Sequence, residues 1–193
     1  MGNFSYKKTL QADLFRCCGK SGLFALLHTY IFKVEFRYVF WMRTAFALSR
    51  RKPLKPVSLM SRYRLYRMKI WLGINIPYNT SIGPGFYIGH FGNINVNYKA
   101  KLGSNCNISS GVTIGEASRG SLQGVPTIGD NVYIGPGAKI IGRIRIGNNV
   151  AIGANSVVTK DVPDDAVVAG VPGEVISYNG ARGYVTRTEH GGK

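Results

Sequence analysis

Of the three histidines in this 193-residue chain, His28, His90 and His190, it is His90 that is best placed for acid–base chemistry. It lies two residues past Ile88 in a series of isoleucines that recur at every sixth position, Ile76, Ile82, Ile88 and Ile94, and beside a two-residue phase slip in that series. A side chain there is badly placed to join the aliphatic column and well placed to face a neighbouring molecule. A pKa near neutrality suits imidazole to take the proton of a hydroxyl as its oxygen attacks an acyl carbon. The competing reading is an exposed or structurally satisfied histidine. The three histidines do not fall on neighbouring repeat units, so a multi-histidine zinc site is disfavoured and no metal is expected. Cys17, Cys18 and Cys106 are odd in number, two of them adjacent, and lack metal-like spacing. A disulfide framework is therefore not expected, and a reducing cytoplasm fits.

The elements that must position His90 are written in the repeat itself. After the slip the series resumes at Val96, Leu102, Ile108 and Ile114, and after an interruption it runs Ile128, Ile134, Ile140, Ile146, Ile152 and Val158. Glycine follows many of these residues. Such a period fits a triangular coil in which each six-residue unit supplies one short strand and one corner. The aliphatic residue points inward, and the corners favour Gly, Asn and other small residues. Three units close a coil, so these positions make roughly four to five stacked coils. The chain thus divides into residues 1–73, a β-helix over 74–177 with an excursion at 116–126, and a tail at 178–193 that reads as loosely ordered.

Residues 1–73 differ in kind. They hold fifteen Lys or Arg against two acids, a net charge of +13 out of the chain's +16. Ser21 to Leu48 predicts one or two helices. In SRYRLYRMKIW, residues 61–71, the spacing does not separate helix from strand, and Pro53 and Pro56 mark a break before it. The uncharged run from Ser21 to Phe32 is shorter than the ~20 apolar residues a membrane span needs, and no secretory signal opens the chain. Basic and aromatic residues together predict a helical cap, with possible peripheral contact to an anionic membrane at its cytoplasmic face. Nucleic-acid binding ranks last, because no recognition module accompanies the arginines.

The stretches YIGHFGNINVN (87–97), NISSGVTIG (107–115), EASRGSLQGVP (116–126), VYIGPGAKIIG (132–142) and IGANSVVTKDVPDDAVVAGVP (152–172) carry a more specific likeness. Over residues 74–177 the chain resembles the hexapeptide-repeat acetyltransferases, in the serine acetyltransferase-like and polysaccharide O-acetyltransferase branch. The resemblance implies a mainly β fold, a left-handed parallel β-helix with an N-terminal α-helical segment. It implies an acetyl-CoA-dependent acyltransferase that forms a homotrimer with its sites between subunits. It makes His90 the general base and puts Asn75 where an orienting aspartate would stand, although a corner Asn making a turn bond explains Asn75 equally well. The thin arm of acetyl-CoA needs a groove of small residues, which Gly135, Pro136, Gly137 and Ala154 could line. Thr159 and Lys160 match a position that meets the CoA end, with a solvated lysine as competitor. Arg119 and Gln123 on the excursion are acceptor-site candidates.

Three departures bear on the acceptor. Where the serine enzymes place an acid before the histidine and an Arg-His pair late in the excursion, this chain has Gly89, Gly124 and Val125. Without those charges free serine would be poorly gripped, so the expected acceptor is a saccharide hydroxyl of capsule, exopolysaccharide or O-antigen type. Serine O-acetylation and N-acetylation of an amino sugar nucleotide are the alternatives. A scaffold or ice-binding β-helix would carry a regular Thr or Ser ladder, which the sequence lacks.

Overall fold

Asparagine tolerates left-handed backbone better than most residues, and the corners use it. Asn93, Asn105, Asn131, Asn149 and Asn155 all have φ between 49° and 57°. Between these corners the computed structural model, which describes residues 5–50 and 55–189, winds a triangular parallel β-helix. Face A stacks β1 (Ile74–Asn75), β4 (Ile94–Val96), β7 (Thr113–Gly115), β10 (Lys139–Ile141) and β13 (Val157–Val158). Face B stacks β2 (Ser81–Ile82), β5 (Lys101–Leu102), β8 (Thr127–Ile128) and β11 (Arg145–Ile146). Face C stacks β3 (Tyr87–Ile88), β6 (Asn107–Ile108), β9 (Tyr133–Ile134), β12 (Ala151–Ile152) and β14 (Val167–Ala169), and closes on an antiparallel β15 (Glu174–Ser177). The register runs isoleucine on isoleucine, as in Ile88, Ile108, Ile134 and Ile152, so each coil buries the next coil's inward residue.

Four helices precede the prism: α1 (Tyr6–Cys18), α2 (Leu23–Phe32), α3 (Val34–Ser49) and α4 (Lys55–Leu72). The ambiguous segment at 61–71 is helical, as part of α4. Residues 51–54, with Pro53, lie outside the described residues; Pro56 falls in the first turn of α4, where a missing N–H costs little. Among the described residues no helix is long and apolar enough to cross a membrane.

A parallel coil at the end of a stack has backbone groups with no neighbouring strand, and buried ones must find partners. Here side chains from the helices supply them. Arg43 donates to the carbonyls of Ile82 and Gly83, both at 2.7 Å, while Asp13 Oδ1 accepts from Phe86 N at 2.8 Å. Arg43 and Asp13 pair at 2.9 Å with both side chains buried. Tyr38 Oη bonds to both Ile76 N and Ile76 O, and Arg16 donates to Gly85 O and to Asn107 Oδ1.

The tail departs from the loose end expected of it. Gly180 N and Ala181 N donate to the carbonyls of Asp165 and Asn149, and the Tyr184 ring stacks on Tyr133 at 4.5 Å. Asn107 Nδ2 donates to Tyr184 O, and Arg187 reaches Cys17 O on α1. Pairing of the last coil and face C with these groups holds residues 178–189; His190 and the terminal Gly-Gly-Lys lie outside the described residues.

Candidate active site

The phase slip turns out to be a local insertion at the corner from face C to face A. Ile88 pairs with Ile108 and Asn95 with Thr113, so six residues of one coil span what four span in the next. The following two coils also use four, Gly135–Ala138 and Gly153–Ser156. Gly89 N donates to Ile108 O, and Gly111 N already reaches back to Gly92 O. His90 and Phe91 are therefore the two residues without a counterpart, pushed out of the coil, and both are exposed. Gly92, with φ of 110°, permits the return. Among the described residues the His90 ring has no hydrogen-bond partner.

The other candidates divide between the two edges of face A. Gly135, Pro136, Gly137 and Ala154 occupy the same corner edge as His90, stacked through Gly137 N to Ser110 O and Asn155 N to Pro136 O. At the ~4.8 Å spacing of parallel strands they lie roughly 10 to 15 Å along that edge from the histidine. The coil itself accounts for two of the glycines. A Cβ at Gly135 would come within 2.9 Å of Ala154 N, and Gly137 has φ of 74°. Asn75 lies on the outer surface of β1, and its amide donates to Asn95 Oδ1 at 3.3 Å.

Thr159, Lys160, Arg119 and Gln123 lie beyond the other edge of face A, where the chain turns toward face B. Lys160 pairs with Glu174 at 3.4 Å, with both side chains exposed, so the bond contributes little. The excursion folds back on itself through mutual bonds between Ala117 and Gly124, leaving Arg119 and Gln123 exposed.

Two cations escaped the sequence reading. Lys139 Nζ bonds to Gly111 O and Thr113 Oγ1 beside the His90 edge. Arg143 lies under the excursion, where its N–H bonds to Leu122 O and its Nη2 to Ser121 O. A Cβ at Gly124, whose φ is 133°, would sit 3.0 Å from Arg143 Cβ, so Arg143 fills the space a side chain at 124 would need. The only signal for either was their being basic within the repeat. Burial pushes the Cys106 thiol up to about 12 and the Cys17 thiol up to about 11, which removes both as nucleophiles near neutral pH.

The repeat matches the family of bacterial transferase hexapeptide (six repeats) over residues 126–160. The chain is 38% identical over 126 residues to the serine acetyltransferase of Synechococcus elongatus, covering 65% of this chain and 52% of that one. It thus spans about half the length of the curated relatives it matches. Among solved structures, Neisseria gonorrhoeae serine acetyltransferase in complex with serine is 30% identical with a TM-score of 0.70, covering 89% of this chain and 69% of that one. Brucella abortus serine acetyltransferase in complex with coenzyme A is 27% identical with a TM-score of 0.76, covering 91% and 69%. These relatives overturn the saccharide acceptor expected from Gly89, Gly124 and Val125. The missing side chains exclude contacts from those three positions only, and Arg143 shows that a cation can reach the same place from another coil. The chain belongs to the hexapeptide-repeat acetyltransferase family, among its serine acetyltransferase-like members.

Proposed function

We propose that this protein is an acetyl-CoA-dependent serine O-acetyltransferase, working in the cytoplasm as a homotrimer with His90 as general base. The observation that carries the reading is the placement of His90, extruded from the coil on the same edge as the small-residue corners at Gly135–Gly137 and Gly153–Asn155. That edge offers a bound thioester a path with little side-chain bulk. His90 accepts the serine hydroxyl proton as the oxygen attacks the thioester carbonyl carbon, then returns it to the departing thiolate. The products are O-acetylserine and CoA.

The division of the candidates between two edges of face A supports the trimer of this reading. An excursion that leaves from the edge away from His90 serves a neighbour's histidine more readily than its own, and closed cyclic packing repeats that contact three times. Arg143, at the root of the excursion, supplies the guanidinium that Gly124 lacks and in this reading holds the serine carboxylate.

The experiment is CoA thiol release with L-serine, L-homoserine and glycerol as acceptors. Serine-dependent release is expected. Arg143→Ala is expected to raise KM for serine about tenfold or more while leaving kcat within a few-fold, as loss of one charge-assisted bond to the ground state and transition state alike. Absence of serine-dependent release from protein that binds acetyl-CoA would sink the serine assignment.

A further inference from the structure

Acyl transfer makes no use of the outward side of α4, yet that side is built with care. The inward side packs Ser58, Ser61, Leu65, Met68 and Leu72 at helical spacing, all buried. Opposite them Leu59, Tyr63, Tyr66 and Ile70 follow the same spacing and are all more than half exposed, with Met60 and Trp71 beside them. Met60, Tyr63, Ile70 and Trp71 line a shallow groove of 740 Å³. A helix apolar on both sides leaves one of them without a partner, and patches of this kind mark an interaction surface.

The charges around the patch say what it meets. Arg62 and Lys69 flank it on one side and Arg64 on the other, with Arg67 in its midst. None of the four pairs with a carboxylate among the described residues. Instead Arg62 lies over the Tyr78 ring at 5.2 Å, Arg64 over Trp41 at 5.0 Å, and Arg67 bonds to Tyr63 Oη. The helix α4 has no acid at all. A second copy of this face would oppose cations with cations, which is repulsive. A single-stranded nucleic acid would use the aromatic rings and the arginines but would leave Leu59, Met60 and Ile70 in water.

We propose that the outward face of α4 seats the protein on an anionic lipid bilayer, the helix lying in the plane of the interface. Leu59, Met60, Ile70 and Trp71 enter the acyl boundary while Arg62, Arg64, Arg67 and Lys69 meet the headgroup phosphates. On α2 the exposed Phe24, Leu27, Ile31 and Phe32 provide a second, uncharged apolar stripe. Trp41 touches both helices, donating to Tyr30 Oη at 2.9 Å on α2 and lying under Arg64 on α4.

The test is co-sedimentation of the full chain with phosphatidylcholine vesicles, with and without phosphatidylglycerol, alongside tryptophan emission. Binding only to the anionic vesicles is expected, with a blue shift that the Trp71→Phe variant loses, since Trp71 is 75% exposed and Trp41 is half-buried. Changing Arg62, Arg64, Arg67 and Lys69 together to Gln is expected to weaken binding about a hundredfold or more. Ile70→Ser with Trp71→Ser weakens it with every charge in place, and acetyl transfer to a soluble acceptor is unchanged in both variants. Equal binding to both vesicle types, or to neither, overturns the proposal. So does self-association that Tyr63→Ser with Ile70→Ser abolishes, which would give the face to a second copy, or tighter binding to a single-stranded oligonucleotide than to anionic vesicles.

Discussion

His90→Ala is expected to lower kcat for acetyl transfer by about 10² to 10⁴, the range over which a positioned general base contributes, with acetyl-CoA affinity unchanged. The size follows from the corner. Two residues without counterparts in the next coil carry the ring clear of the stack, so its removal opens no cavity and breaks no hydrogen bond. Stability should hold within ±0.5 kcal/mol, as for surface substitutions generally. Kinetics and thermal melting on the same preparation check both halves. Acetyl transfer that survives in His90→Ala would remove the histidine from the chemistry.

Asp13→Ala is expected to be the most damaging single change to the fold. The carboxylate holds Arg43 and the Phe86 N–H in a buried setting, so truncation strands a charge and a donor together. Removing one partner of a buried pair costs roughly 3–5 kcal/mol. For a chain of this size that lowers Tm by about 10 °C. The double variant Asp13→Ala with Arg43→Ala should lose less than the two single losses combined, because the stranded charge has gone. Thermal melts of the three variants form the cycle that measures the coupling. Strict additivity would mean that the pair is not coupled.

The prism was legible because most strands commit one inward aliphatic residue, and Ile82, Ile88, Ile108 and Ile134 hold the six-residue spacing of the coils. What escaped was carried by residues whose types suggest the opposite of their setting. The helix α1 buries Asp13 and Arg16, which look like surface residues until the first coil's backbone is laid against them. In α4 the helical period was masked by apolar residues on both sides. At the site, the phase slip was visible in the sequence, but the pairing was needed to show that it isolates His90 and Phe91. Asn75, the position matching an orienting aspartate, donates its Nδ2 to Asn95 Oδ1, a contact set by the pairing of β1 with β4. Arg143 comes from a coil later than the excursion it supports, a contact that only the stacking creates.

Repeat stacks are close to one-dimensional, each coil bonded only to its neighbours, and such arrays tend to melt inward from whichever end is weaker. The tail changes that topology. By stacking Tyr184 on Tyr133, binding Asn107 and bringing Arg187 to α1, it ties the last coil to the cap and turns a line of coils into a closed circuit. A circuit has no free end from which to unravel. Its coils should exchange their amide protons in a single cooperative opening, and the circuit should revert to end-first fraying once the chain is cut after Asn179.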